Sequence, residues 1–479
     1  MASWARRIDV PLRRVARSCA AMLFVLLAHV TLLQAFGSHR LNADQRNERP
    51  LIARFERPRG DILTYEGTPV AGSRPTGEGP YLYRRVYRHG RLYAPVTGHV
   101  SLAGSTGIER AQDAVLSGRD AKIRVQSLVR DGVVEGADVR LTISERVQWA
   151  AYQSLKATGV PGAAVAISPA TGAILALVSY PAYDPNALTT FDRDRLAETA
   201  QQIRQAPGGP MVNRALHGLY PPGATFKLVT TAAALSSGEY APSTVVEAPA
   251  RLRLPGTPMY VDNGRPCAQE RPTLAYAFMA SCDTAFAGIG LQLGQDLLRD
   301  QAEAFGFNAS GLTIPLGTTP SVFPAGMDRA RTALAAIGRH DDRVTPLMLA
   351  MLSAAVANNG VLMRPYLVEE ERLADGSVIG RADPAPYRTA LSPVLARYLA
   401  AMMTTVTHAG GPASIPGVEV AAKSDTSEKG LVTGDHALMT AFAPADAPEV
   451  AVGVVLENPG RRADAVAGVA RAVIEAALA

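Results

Sequence analysis

Long apolar runs separated by short polar breaks divide the chain into three stretches of different character. From Ser18 to Ser38 it reads "SCAAMLFVLLAHVTLLQAFGS", softened but not broken by His29, Thr31 and Gln34. About 20 apolar residues span a bilayer, whereas the core of a secretory signal runs to about 7–15. The pattern therefore predicts a transmembrane anchor over residues 18–38, with a cleaved signal sequence as the alternative. Arg6, Arg7, Arg13, Arg14 and Arg17 precede it. Arginines on that side predict a cytoplasmic tail over residues 1–17, with the C-terminal bulk extracytoplasmic and the chain held in the cell membrane by a single pass.

From 39 to 136 the runs are short. "YLYRRVYR" (Tyr81 to Arg88) and "RLYAPVTGHV" (Arg91 to Val100) alternate aromatic or β-branched residues with polar ones. Both predict strands, and the region reads as a small β-rich pedestal domain. From 137 to 479 the runs lengthen. Val139–Ile143 alternates as a strand, and Ser144 opens a helix with Val147, Ala151 and Leu155 on one face. Residues 162–186 read as two apolar strands joined at Pro169–Gly172. Helical runs follow over Leu228–Gly238, Leu274–Gly294 and Thr345–Gly360. Strands return over His436–Ala445 and Glu449–Glu457, before an Ala-rich helix from Ala463. Strands at both ends with helices between predict an α+β fold, an antiparallel sheet packed against helices.

Composition changes this picture little. Apolar residues are 47% of the chain and charged residues 19%, enough to bury a core and too apolar for a disordered chain. A net charge of +5 is mild for 479 residues and gives no reason to propose a nucleic-acid partner. No Gly-rich phosphate loop or zinc spacing appears, so neither cofactor nor metal is expected. The run His340-Asp341-Asp342 reads as a solvated charge cluster in a loop. Lysine is scarce: Lys122, Lys156, Lys227, Lys423 and Lys429 are the five present. Where arginine is used almost everywhere else, a retained lysine suggests a proton that can be exchanged. Cys19 lies in the membrane stretch. Cys267 and Cys282 are the exported pair, and an oxidising compartment favours a disulfide over two buried thiols.

The segment "YPPGATFK" (Tyr220 to Lys227) is a rigid turn that hands a lysine to a helix. Together with "RPRGDI", "YAPVTG", "ISPATGAILALVSYPAYDPN", "SCDTAFA", "TPLMLAMLSAAVANNG" and "AAKSDTSE", it resembles the class B penicillin-binding proteins, in their actinobacterial division-type form. The resemblance runs from the anchor to the C-terminus and implies a penicillin-binding serine transpeptidase fold. Three motifs, S-x-x-K, S-x-N and K-[ST]-G, would line one cleft. Carried onto this chain, they place Ala224 at the nucleophile's position, with Lys227, Ser281 and Asp283 as the remaining catalytic set. Lys423, Ser424, Asp425 and Thr426 fall on the substrate-binding strand. Each motif departs at one position: Ala224 for serine, Asp283 for asparagine and Asp425 for glycine. Arg339 stands where glutamine is common in the family.

These departures point one way. Acyl transfer needs a hydroxyl to attack the carbonyl carbon, and alanine has none. Loss of the nucleophile in a serine hydrolase costs on the order of 10⁶ in rate. Asp283 is expected to raise the pKa of Lys227, and Asp425 to repel a substrate carboxylate and fill the space glycine leaves. Thr225 should turn away from the cleft, since one residue rotates a helix by about 100°. The expectation is a catalytically inactive scaffold or regulator in peptidoglycan synthesis and cell division. Its implied partners are wall-synthesis or divisome membrane proteins, with weak or lost binding of the peptidoglycan stem peptide or its lipid-linked precursor. The alternatives are an active D,D-transpeptidase with an unusual residue set, and a non-covalent muropeptide sensor.

Overall fold

In the computed structural model, residues 2–32, 34, 49–77, 79–129, 135–263, 267–407, 413–425, 436–460 and 464–479 are described. The chain divides into two units, Met1–Arg57 with Pro75–Arg84, and Pro58–Arg74 with Arg85–Ala479. The smaller unit holds the Ala2–Leu32 helix and the short Arg49–Phe55 helix. Residues Arg13–Leu32 are long and apolar enough to cross a membrane. Met22, Phe24 and Val25 are exposed, as an apolar face requires when lipid rather than protein is to cover it. Residues 33 and 35–38 of the predicted anchor lie outside the described residues.

The larger unit is built on a five-stranded antiparallel sheet. In chain order its strands are β1 (Gly162–Ile167), β2 (Ile174–Tyr180), β3 (Ala421–Asp425), β4 (Ala437–Ala443) and β5 (Val450–Leu456). Their order across the sheet is β3-β4-β5-β1-β2, so β3 is an edge. Every residue of β1, β4 and β5 is buried, which explains their continuous apolar sequences: the sheet is covered on both faces. The Glu145–Thr158 helix is pinned by Gln148, whose amide donates to Leu177 O at 3.0 Å and accepts from Leu177 N at 2.8 Å. The Pro346–Ala357 helix is fixed by Thr440, which donates to Leu349 O at 2.5 Å. Val378–Arg381, Val368–Arg372, Asp138–Leu141 and Ile62–Leu63 are successive neighbours in a second sheet.

Two local expectations are corrected. Arg91–Val100 does not form a strand; Gly90–Thr97 is a helix. Leu92 and Val96, with Tyr93 and Thr97, fall four residues apart and are all buried, so the helical period matches the core better than alternation does. The run Leu274–Gly294 is not one helix. Leu274–Ala280 ends at Ser281, whose φ of 57° is left-handed, and a new helix begins at Asp283. The "RPRGDI" stretch also gains a physical reason. Arg59 pairs with Glu109 at 3.1 Å and Asp113 at 2.7 Å, and Arg85 pairs with Glu109 at 2.5 Å. Burial pushes the Glu109 carboxyl up, but Arg85 and Arg59 pull it further down, and the balance is downward. A buried carboxylate held by two buried guanidiniums is tolerated because each charge has its partner.

Candidate active site

Backbone contacts hold the turn that opens the site. Tyr220 N donates to Val344 O at 2.9 Å and Val344 N to Tyr220 O at 2.8 Å. Gly223 N donates to Gly338 O at 3.1 Å. Both glycines are left-handed, with φ of 50° and 70°. A Cβ on Gly338 would stand 2.3 Å from Gly223 O, so the loop before Arg339 docks directly on the turn. Residues Gly223–Phe226 form a 3₁₀ turn that runs into the Lys227–Ser236 helix. Ala224 keeps slight exposure, while Thr225 is fully buried and spends its hydroxyl on Pro222 O at 2.6 Å. Thr225 thus turns away, as expected.

Ser281 and Asp283 meet this turn because the chain breaks between two helices. The left-handed Ser281 presents both of its oxygens to Lys227, whose Nζ donates to Ser281 O at 2.8 Å and Oγ at 3.0 Å. Lys227 also pairs with Asp283 Oδ1. Asp283 is the first residue of a long helix, where the helix dipole favours an anion. Its Oδ2 accepts from Arg339 at 2.9 Å. Asp283 is therefore a buried carboxylate between two cations. On the β3 edge, Lys423 and Asp425 share one face by strand alternation. Lys423 Nζ donates to the Ser281 hydroxyl at 3.1 Å. Phe286 and Phe278 stand beneath the lysines, with Lys227 Nζ 5.7 Å and Lys423 Nζ 5.1 Å from the respective ring centroids. Asp425 lies against the turn, near enough for the Ala224 amide to draw its carboxyl down.

The electrostatics add burial to the expected pull of Asp283. Asp283 raises the Lys227 ammonium as expected, but removal from water outweighs one carboxylate and the balance is downward. Lys423 is pushed down to about 7, first by burial and then by Lys227. Burial raises the Asp425 carboxyl against the pull of the Ala224 amide, Arg339 and Lys227.

The structure thus gathers Ala224, Lys227, Ser281, Asp283, Lys423 and Asp425 in one place. Ser424 points to the other side of its strand and is partly exposed. Thr426 lies outside the described residues. Cys267 and Cys282 are disulfide-bonded, with Cα atoms 5.6 Å apart, so the middle residue of the second motif is tied to a neighbouring loop. Sequence reasoning noted Arg339 without a partner, and missed the two phenylalanines and the Gly338 contact. The left-handed glycine beside Arg339 was the available signal. A further correction concerns Asp342, which is not solvated. It is fully buried, burial raises its carboxyl well above the usual range, and both its oxygens lack a partner among the described residues.

Sequence comparison gives this fold and constellation a family. Residues 162–477 match the penicillin binding protein transpeptidase domain, and residues 59–139 the penicillin binding protein A dimerisation domain. The chain belongs to the penicillin-binding protein family. It is 40% identical to the peptidoglycan D,D-transpeptidase PbpA of Mycolicibacterium smegmatis, over 98% of this chain and 99% of that one. Identity to PbpA of Mycobacterium tuberculosis is 39%, with the same coverage of both. The imipenem acyl-enzyme complex of M. tuberculosis penicillin-binding protein A superposes with a TM-score of 0.85 at 38% identity, covering 89% of this chain and all of that one.

Proposed function

We propose that this protein serves peptidoglycan synthesis as a non-acylating penicillin-binding protein, a membrane-anchored scaffold or regulator facing out of the cytoplasm. The domain order proposed is the cytoplasmic tail, the anchor, the pedestal to residue 136 and the transpeptidase-like domain. The observation that carries the reading is Ala224: the position a nucleophile would occupy holds a methyl group. Around it, the Lys227–Asp283–Arg339 chain supports a structural role for groups that would otherwise move protons. Asp425 packs its carboxylate against the turn beside residue 224. Any binding of the stem peptide is then weak, and divisome or wall-synthesis membrane proteins are the partners proposed. The test is to incubate the full chain in detergent with a fluorescent penicillin. No covalent label is expected; a label removable by hydroxylamine would overturn the reading.

A second reading, an active D,D-transpeptidase, is favoured by the names of the relatives and by Ser281. Its hydroxyl lies 3.0 Å and 3.1 Å from two lysine amines and is partly exposed. A serine beside a lysine that can shed its proton is a recognised nucleophile arrangement. Peptide mass mapping separates the readings, because an acyl adduct on Ser281 belongs only to the second.

A further inference from the structure

The break between the two helices at Ser281–Asp283 is tied down from one side. Cys282 is disulfide-bonded to Cys267, 15 residues earlier in the chain. Thr284 donates to Asn263 Oδ1 through its amide at 3.0 Å and through its hydroxyl at 3.2 Å. Both links run from the start of the Asp283–Ala304 helix to the segment that follows the Tyr260–Asp262 strand. The covalent one sits on the residue between Ser281 and Asp283. Ser281 offers its carbonyl and hydroxyl to Lys227, and Asp283 its carboxylate to Lys227 and Arg339. Any freedom that Cys282 gains is passed to both neighbours.

The two cysteines of the bond are not equivalent. Cys282 is buried at 1% exposure, whereas Cys267 is partly exposed. Thiol–disulfide exchange is a displacement in which a thiolate attacks one sulfur and expels the other, so access to each sulfur matters. Attack on Cys282 has to come through the packed core, and attack on Cys267 can come from water. Expulsion is also favoured in that direction. Cys282 is the N-cap of a 22-residue helix, whose dipole favours an anion there. The Asp283 carboxylate beside it is already held by two cations. Burial opposes a thiolate, so reach, before leaving-group strength, sets the direction.

We propose that Cys267 is a site of thiol exchange, attacked by an external thiolate, and that the exchange releases the Ser281–Asp283 break from its covalent tether. The incoming sulfur bonds to Cys267 Sγ. The electron pair of the old S–S bond leaves on Cys282 Sγ, which takes a proton from water. A second equivalent of thiol then returns Cys267 to the free thiol and departs as the disulfide of the reagent. Only the contact between Thr284 and Asn263 then remains of the two links. Ser281 and Asp283 gain freedom relative to Lys227, so the state of one sulfur bond governs how firmly the lysine centre is held.

The test uses the full chain in detergent with Cys19→Ala, which removes the free exposed cysteine of the N-terminal helix. The chain is treated without denaturant with millimolar glutathione and quenched into denaturant with excess N-ethylmaleimide. Cleavage after Glu270 parts the two cysteines for mass mapping. Glutathione is expected on Cys267 and maleimide on Cys282, with at least about tenfold preference over the reverse, as the difference in access requires. A second arm replaces glutathione with a thioredoxin that lacks its resolving cysteine. Its capture on Cys267 assigns the exchange to protein thiols as well, and an adduct with glutathione alone assigns it to small ones. After full reduction, amide hydrogen exchange over residues 278–286 should be at least about fivefold faster than in the oxidised chain. Adducts shared equally, or found on Cys282, overturn the proposal. So does a native chain that forms no adduct when the denatured chain does, and so does unchanged hydrogen exchange over 278–286.

Discussion

The Asp425 carboxylate and the Gly223 backbone are in direct contact: a Cβ built on Gly223 would stand 2.0 Å from Asp425 Oδ2. The carboxylate occupies the ground beside residue 224 that the family motif leaves to glycine. Two changes, a missing hydroxyl and an added carboxylate, therefore fall on one small volume.

Ala224→Ser alone should not restore acylation, because the new hydroxyl would face Asp425 in a filled space. The triple change Ala224→Ser, Asp283→Asn and Asp425→Gly should restore fluorescent-penicillin labelling by at least tenfold over the single variant. Equal labelling of the single and triple variants would show that the two carboxylates do not obstruct.

Lys227, Asp283 and Arg339 should behave as one energetic unit. Arg339→Gln removes one cation from a buried carboxylate and should cost about 1.5–3 kcal/mol. Asp283→Asn leaves two cations facing each other. Combined, the two changes should cost less than their sum, with a coupling of about 0.5–3 kcal/mol in urea denaturation. Additive costs would mean that the Arg339 contact carries no energy.

Lys423 makes stability depend on alkaline pH. In the folded chain its pKa is about 7, against 10.5 ordinarily. Between these values the unfolded chain binds more protons than the folded one. Stability from this group therefore rises with pH across that window, by about 1.4 kcal/mol per unit, and the cost of burying the ammonium is fully present below pH 7. Lys423→Met should be ahead of the parent near pH 7, with that lead narrowing by pH 9 and gone only as the pH approaches 10.5. Parallel denaturation curves at the two pH values would refute this.

The Cys267–Cys282 bond closes a loop of 15 residues beside the second motif. Reduction should cost about 3 kcal/mol by the chain-entropy argument. The urea midpoint with and without reductant measures it, and an unchanged midpoint would show that the surrounding contacts hold the loop unaided.

Motif order and the covered sheet were readable before any coordinates, and for a physical reason. β1, β4 and β5 are buried on both faces, so their apolar runs are unbroken, and the three motifs keep local spacing. The rest depended on contacts between distant positions. Asp283 and Arg339 are 56 residues apart, and no local pattern says that one neutralises the other. The downward shift of Lys227 follows from depth of burial, which spacing does not show. The Gly90–Thr97 helix was misread because Leu92, Tyr93 and Val96 suit a pleat as well as a helix. Ser281 broke a helical run without glycine or proline to announce it.

The docking of Gly338 on Gly223 has a consequence for related chains. A side chain at Gly338 would push the Arg339 loop off the turn, and one at Gly223 would strike Asp425, so the shape of "YPPGATFK" is a requirement of folding in its own right. The turn can be demanded by packing whether or not residue 224 carries a hydroxyl. Its sequence therefore marks the fold, and a reaction has to be read from the atom at that position together with the residue that faces Gly223.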